Sequence, residues 1–306
     1  MNAPHHIVRR RLLPAAALAT ALALLAACGP APSAKTTAPA SRVNQALHDR
    51  LPEAIRASGT IRVGTDASYA PASFFGPNGR QIVGFEPDLG AAMGDVLGVR
   101  FEFVNVEFTG MLTMLADQKI DVAISAMTDT ADREKKADFV NYFSAGTSIL
   151  VQRGNPAAVT DLQDLCGHTV AVEEGTVQVD LLQRSQQKCA RGPMTIKQYP
   201  TNSDALLQLR TGRAVAVLND FPPAAYLANE AATKAHYQLA STTQYEPGLY
   251  GIAVAKGQTQ LRDAIRAALT EVMRTGAYTK VLTKWGVSDG AIRQTSINSG
   301  RGGYDS

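Results

Sequence analysis

The chain contains no G-x-x-x-x-G-K-[ST] phosphate loop and no H-E-x-x-H pair, so the common nucleotide-dependent and zinc-hydrolase readings have no residues to rest on. Its 5 histidines and 3 cysteines form no cluster with ligand spacing. That excludes a Cys/His nucleophile arrangement and leaves no metal site to assign. His48, His168 and His236 stand singly, as surface or turn histidines do. RNA- and DNA-binding signatures are missing too. The longest apolar run, Leu12 to Ala27, is about 16 residues, short of the ~20 that a membrane span needs.

That run has another reading. Arg9, Arg10 and Arg11 precede it, the layout of an export signal. It closes in Leu25-Ala26-Ala27-Cys28, which resembles a bacterial lipobox and marks Cys28 for lipidation as the mature N-terminus, anchored to the cell membrane. Residues 1–27 are then a lipoprotein signal peptide, and 28–54 are the lipidated start and a tether rich in Ala, Pro, Ser and Thr. The three arginines of the signal account for the whole formal charge of +3 and leave basic and acidic residues equal at 27 each. A neutral mature chain offers nothing to nucleic acid or to an anionic surface. Cys166 and Cys189 remain as an even pair in an oxidising setting, where a disulfide is expected; two buried free thiols are the alternative.

Past the tether, strands and helices alternate, the pattern of an α/β fold. Thr60 to Gly64 reads as a strand, a helix opens at Pro87 and ends at Gly98, and Phe101 to Val104 is the next strand. Thr109 to Gln118 reads as helix and Asp121 to Ile124 as strand, completing a βαβαβ unit. A second series follows: strand Thr169 to Val172, helix about Thr176 to Gln187, strand Ile196 to Tyr199, helix Ser203 to Thr211, strand Ala214 to Leu218. Leu115 to Ile124 can be laid over Leu209 to Leu218, each a helix end, a basic turn and a strand. Polar residues end each copy, Ser125 in the first and Asn219-Asp220 in the second, where open α/β sheets bind ligands.

Ser125 to Asp138 is the most informative stretch. Ser125 and Thr128 offer hydroxyls after an apolar strand, Thr130 can cap a helix beginning near Ala131, and Arg133 sits in its first turn. A cation at the positive end of a helix dipole points to an anion shared between its guanidinium and backbone donors, with a solvated surface arginine as the alternative.

Six segments together resemble the extracytoplasmic solute-binding proteins of bacterial ABC transporters, in the polar amino-acid-binding family (family 3). They are Ile61 to Pro71, Gly84 to Leu89, Ser125 to Phe139, Val170 to Thr176, Tyr250 to Val254, and Gly276-Ala277-Tyr278 through Lys284-Trp285-Gly286. The resemblance implies a periplasmic-binding-protein-like fold of two α/β lobes joined by two hinge strands, with a ligand cleft between them. Lobe 1 is expected over 55–147 plus 246–290, lobe 2 over 148–245, and a C-terminal tail over 291–306. It further implies that Arg133 takes an α-carboxylate, helped by Thr128 and Thr176, that Asp220 and Ser125 take the α-ammonium, and that Asp66, Tyr69 and Phe108 surround the ligand side chain, with Gln178 in the same glycine-turn motif. Val215 and Ala126 depart from the family pattern, which usually has Asp at the first position and often Ser or Gly at the second.

The expected function is capture of a cationic or polar L-amino acid by lobe closure and delivery to an ABC permease and ATPase complex, by a monomer without cofactor. A ligand sensor of the same fold is the alternative, as is a cyclohexadienyl-dehydratase-like enzyme using Glu173 or Glu174 as its acid.

Overall fold

The structure is a computed structural model that describes residues 43–300. The expected signal peptide, the lipidated Cys28, the tether up to residue 42 and residues 301–306 of the tail lie outside the described residues. The strands are β1 (Thr60–Thr65), β2 (Ser68–Tyr69), β3 (Ser73–Phe75), β4 (Ile82–Val83), β5 (Arg100–Asn105), β6 (Val122–Ala123), β7 (Ala137–Gln152), β8 (Thr169–Glu173), β9 (Thr195–Tyr199), β10 (Ala216–Asp220), β11 (Tyr237–Leu239) and β12 (Tyr245–Ala255). The α-helices are α1 (Gln45–His48), α2 (Glu53–Ser58), α3 (Phe85–Leu97), α4 (Met111–Ala116), α5 (Ala131–Glu134), α6 (Val177–Gln186), α7 (Asn202–Arg210), α8 (Phe221–Asn229), α9 (Thr259–Arg274) and α10 (Ala277–Lys284).

The main sheet runs β5-β1-β6-β12-β7-β10-β8-β9, with β11 on β7; β2, β3 and β4 form a separate small sheet. The two βαβαβ series expected from sequence are the two ends of this path. In the first, β1 pairs in parallel with β5 and β6; in the second, β8 pairs in parallel with β10 and β9. Between them lie β7 and β12, antiparallel to each other from Tyr245↔Thr147 to Ala255↔Ala137. The N-terminal part of β7 faces β12, and its residues Thr147 to Val151 pair with β10. These are the two connecting strands. The register of β12 shifts between Tyr245 and Gly248, and Glu246 there holds φ +46.

Apolar burial follows the same division. One cluster packs Phe85, Leu89, Met93, Tyr142, Phe143 and Tyr250 against α9, whose buried Leu261, Ala264, Ile265, Ala268, Leu269 and Val272 recur at helical spacing. A second, around Met111, Leu115 and Phe139, covers the other face of the same strands. On the far side of the connecting strands, Ile149, Val170, Val172 and Leu182 form one cluster and Leu150, Ala205, Leu209 and Val217 another. Each such side chain contributes roughly 1.5–3 kcal/mol when fully buried.

The expected tether ends sooner than residue 54. Asn44 caps α1, the His48 ring bonds the Leu97 carbonyl at 2.7 Å, and Leu51 is fully buried, so the chain is already packed on α3 by this point. Apolar content explains the difference: Val43, Leu47 and Leu51 recur every fourth residue inside a polar stretch.

Cys166 and Cys189 are disulfide-bonded, with Cα atoms 5.4 Å apart across a sequence separation of 23. The bond ties the turn before β8 to the segment after α6. Replacing both cysteines by serine is expected to lower stability by about 3 kcal/mol on the chain-entropy model. Urea unfolding measures this, with a lower midpoint and a steeper slope as the expected result, because the unfolded chain without the cross-link exposes more surface.

Candidate functional site

Asp66, Tyr69, Phe108, Ser125, Thr128, Arg133, Thr176, Gln178 and Asp220, all nine ligand-binding candidates from sequence, line a single cavity. Ala126, Glu173 and Val177 complete the lining. The positions follow from topology: β1, β6, β8 and β10 all end at this cavity, which collects the residues just beyond their carboxyl ends.

Thr130 caps α5, its hydroxyl accepting from the Arg133 amide at 3.3 Å, so Arg133 stands in the first turn as expected. Its guanidinium donates to the Thr128 carbonyl at 2.7 Å and, across the cleft, to the Gly175 carbonyl at 2.9 Å. The Phe108 ring lies 5.3 Å from the guanidinium carbon, a cation–π contact. Gly175 has φ +72, and a Cβ there would sit 2.8 Å from the Thr109 side chain, so this turn takes only glycine without rearrangement. Thr176 follows as the N-cap of α6, and its hydroxyl donates to the Glu173 carbonyl.

The Asp220 carboxylate accepts from the Gln178 amide at 2.8 Å and the Tyr69 hydroxyl at 3.1 Å, while the Asp220 backbone N–H donates back to that hydroxyl at 2.9 Å. Burial pushes its carboxyl up to about 6, against the lowering effects of Tyr250, Tyr69, Arg133 and Gln178. Tyr69 thus reaches from one lobe to the other. So does Asn202, whose amide donates to the Ser68 carbonyl at 3.1 Å. These bridges hold the two walls together around a cavity of about 20 Å³, room for one water-sized group.

Asp66 and Glu173 face one another in this cavity. Asp66 is 4% exposed; its Oδ1 accepts from the Ser68 amide, and its Oδ2 has no hydrogen-bond partner. Glu173, 6% exposed, has an Oε1 without a partner. Burial, the facing Asp66 carboxyl and then Asp220 and Glu174 hold the Glu173 carboxyl well above the usual range. Ser125 supports Asp66, its hydroxyl accepting from the Asp66 amide at 2.9 Å.

Two residues outside the candidate set shape the floor. Ala126 has φ +46, a left-handed conformation that costs a side-chain-bearing residue roughly 1–2 kcal/mol. The fully buried Glu86 offsets this by accepting from the Ala126 amide at 2.6 Å and from Ser73 at 2.6 Å, and it also bonds Tyr142. Glu86 belongs to the Gly84–Leu89 motif, so the sequence marked it without revealing its role. Glu173 carried a weaker signal, an acid just before a glycine turn.

One stretch, Gly286-Val287-Ser288-Asp289-Gly290, does fit the G-x-S-x-G pattern of hydrolase nucleophiles. It follows α10 rather than a strand, and Ser288 lies exposed in a 3-10 turn beside Thr283. That is not a strand-to-helix nucleophile elbow. Among the described residues, no group of three or more His, Cys, Asp or Glu is placed to hold a metal ion.

Comparison with known proteins identifies the family. Residues 61–288 match the model of the bacterial extracellular solute-binding proteins, family 3. The chain is 30% identical over 252 residues to the arginine-binding protein ArgT of Corynebacterium glutamicum, covering 81% of each. It is 30% identical over 233 residues to the L-cystine-binding protein TcyJ of Escherichia coli K12, covering 76% of this chain and 84% of TcyJ. Among solved structures, an ancestral arginine-binding protein bound to arginine superposes with a TM-score of 0.68 at 36% identity, over 74% of this chain and 98% of that one. The family match spans both series of the sheet and the connecting strands between them. The chain belongs to the bacterial extracellular solute-binding proteins, family 3.

Proposed function

We propose that the protein is the extracytoplasmic receptor of an amino-acid ABC importer, tethered by a lipid on Cys28 and acting as a monomer, and that it captures a cationic L-amino acid. The observation behind the ligand class is the charge balance of the cavity. Asp66, Glu173 and Asp220 are three buried carboxyls, and Arg133 is the only cation among the lining residues. With its α-carboxylate on Arg133 and its α-ammonium on Asp220, a ligand would project its side chain toward the Asp66 and Glu173 carboxyls. A guanidinium or ammonium satisfies both; a carboxylate there meets like charge in a desolvated site. The arginine-binding names of several relatives support the same choice.

Capture needs the lobes to part, because a cavity of about 20 Å³ does not admit an amino acid. The ligand replaces the Tyr69–Asp220 and Arg133–Gly175 bridges with its own contacts to both walls. The closed form gains stability in proportion to those contacts and is the form a permease would recognise.

A thermal-shift panel of the common L-amino acids tests the ligand class. Arginine or lysine is expected to raise the melting temperature most, glutamine less. Stabilisation by glutamate or aspartate alone would overturn the charge argument.

Glu173 also favours one second reading. A buried carboxyl held well above the usual carboxylate range is suited to general-acid work, as a cyclohexadienyl-dehydratase-like activity requires. Incubation with prephenate or arogenate separates the two: turnover abolished by Glu173→Gln would establish catalysis, and its absence leaves binding.

A further inference from the structure

The last described residues do not trail from the domain. Ser296 to Gly300 lie along β7, with Ile297 bridged antiparallel to Val140. The Asn141 amide donates to the Ser296 carbonyl at 2.9 Å, the Asn298 amide to the Phe139 carbonyl at 3.0 Å, and the Phe139 amide to the Asn298 side chain at 2.8 Å. Asn298 also reaches Asp138, and Ser296 reaches the side chain of the fully buried Asn141.

This strap ends on two carboxyls that flank the arginine cradle. The Ser299 amide donates to Asp129 Oδ2 at 3.0 Å, which also accepts from Asn141 at 2.9 Å. The Gly300 amide donates to Glu134 Oε1 at 3.0 Å. Asp129 is 2% exposed and immediately follows Thr128, whose carbonyl holds the Arg133 guanidinium; Glu134 immediately follows Arg133. Burial and the hydrogen-bonded Glu134 carboxyl raise the Asp129 carboxyl to about 6, against the lowering effects of Asn141 and the Ser299 amide. Packing at the end of the strap is tight: a Cβ on Gly300 would lie 2.6 Å from the Asp129 carbonyl oxygen, which is backbone and does not yield.

We propose that the strap Ser296–Gly300, acting through Asp129 and Glu134, positions the Thr128–Arg133 cradle, and that ligand affinity therefore depends on this C-terminal segment. Asp129 is a positioning residue: it acts on the ligand only through Thr128 and Arg133. The inference rests on the reading of Arg133 as the carboxylate site, but its first readout does not.

Amide hydrogen exchange across residues 129–136 is measured in the full-length protein, in Gly300→Ala, Asp129→Ala and Asp129→Asn. Gly300→Ala and Asp129→Ala are expected to speed exchange in this segment at least tenfold while β8 and α6 keep their protection. L-Arginine binding is expected to weaken about tenfold in both variants. Asparagine keeps an acceptor for Ser299 and Asn141 and adds a donor toward Glu134, so Asp129→Asn is expected to restore protection and affinity. Wild-type exchange in Gly300→Ala, or faster exchange spread over the whole domain, would overturn the proposal. Faster local exchange in a protein that binds no amino acid would instead retain the strap and reject the ligand reading.

Discussion

Arg133→Ala is expected to abolish detectable amino-acid binding while leaving a folded, disulfide-bonded protein. Among the described residues that line the cavity, no other cation can take the α-carboxylate. Removing one partner of a desolvated charge pair costs roughly 3–5 kcal/mol, which corresponds to about two to four decades of affinity. Fold retention follows from placement, since Arg133 stands on a single helical turn at the cleft and belongs to none of the apolar clusters. Arg133→Lys is expected to rescue poorly: the guanidinium spans the Thr128 and Gly175 carbonyls with two separate nitrogens, and an ammonium lacks that fork. Calorimetry on the folded variants decides, and near-wild-type affinity in Arg133→Ala would remove the cradle from the site.

Much of the fold was legible because its elements obey local rules. The parallel strands are short apolar runs after glycine-marked turns, and the N-caps of α5 and α6 were visible as Thr130 and Thr176. β7 was harder to read. Fourteen of its 16 residues are buried, so there is no alternation to mark where the strand crosses from one lobe to the other. The strap was not legible: Ile297 is the one large apolar residue of Ser296 to Gly300, and the segment's order comes from pairing with residues more than 150 positions earlier. In the site, the residue types announced themselves where chemistry is unusual for the local element, as with an arginine at a helix N-terminus. Glu173 was ambiguous because whether an acid at a strand end faces solvent or a cleft depends on the opposite lobe, and the sequence of either lobe alone does not say. Glu86 was recognisable only as part of a motif, since its work on Ala126 arises from contacts 40 residues apart.

The second large effect concerns the acids that face the ligand side chain. Asp66→Asn combined with Glu173→Gln is expected to weaken L-arginine binding about a hundredfold or more, because two hydrogen bonds to charged groups are each worth roughly 1.5–3 kcal/mol. L-Glutamine, which needs neither charge, is expected to change little. Glu173 and Asp220 set a pH dependence whose sign is fixed by their direction of shift. In the closed protein Asp220 holds its proton to about pH 6, and Glu173 holds its own well above the ordinary carboxylate range. A cationic ligand prefers both ionised, so its binding expels protons, and affinity should rise as pH increases through about 6. Below that, protons compete with the ligand, at up to tenfold per pH unit for each proton released. Their contribution to stability without ligand runs the opposite way. A carboxyl whose folded value is raised binds its proton more tightly in the folded protein, so this contribution is largest below the unfolded value near 4 and is lost as pH climbs toward the folded one. Calorimetry at pH 5, 6, 7 and 8, in buffers of different ionisation enthalpy, reads both affinity and protons released. Arginine affinity that is flat across this range, or that falls with rising pH, would mean that Glu173 and Asp220 do not receive a cation.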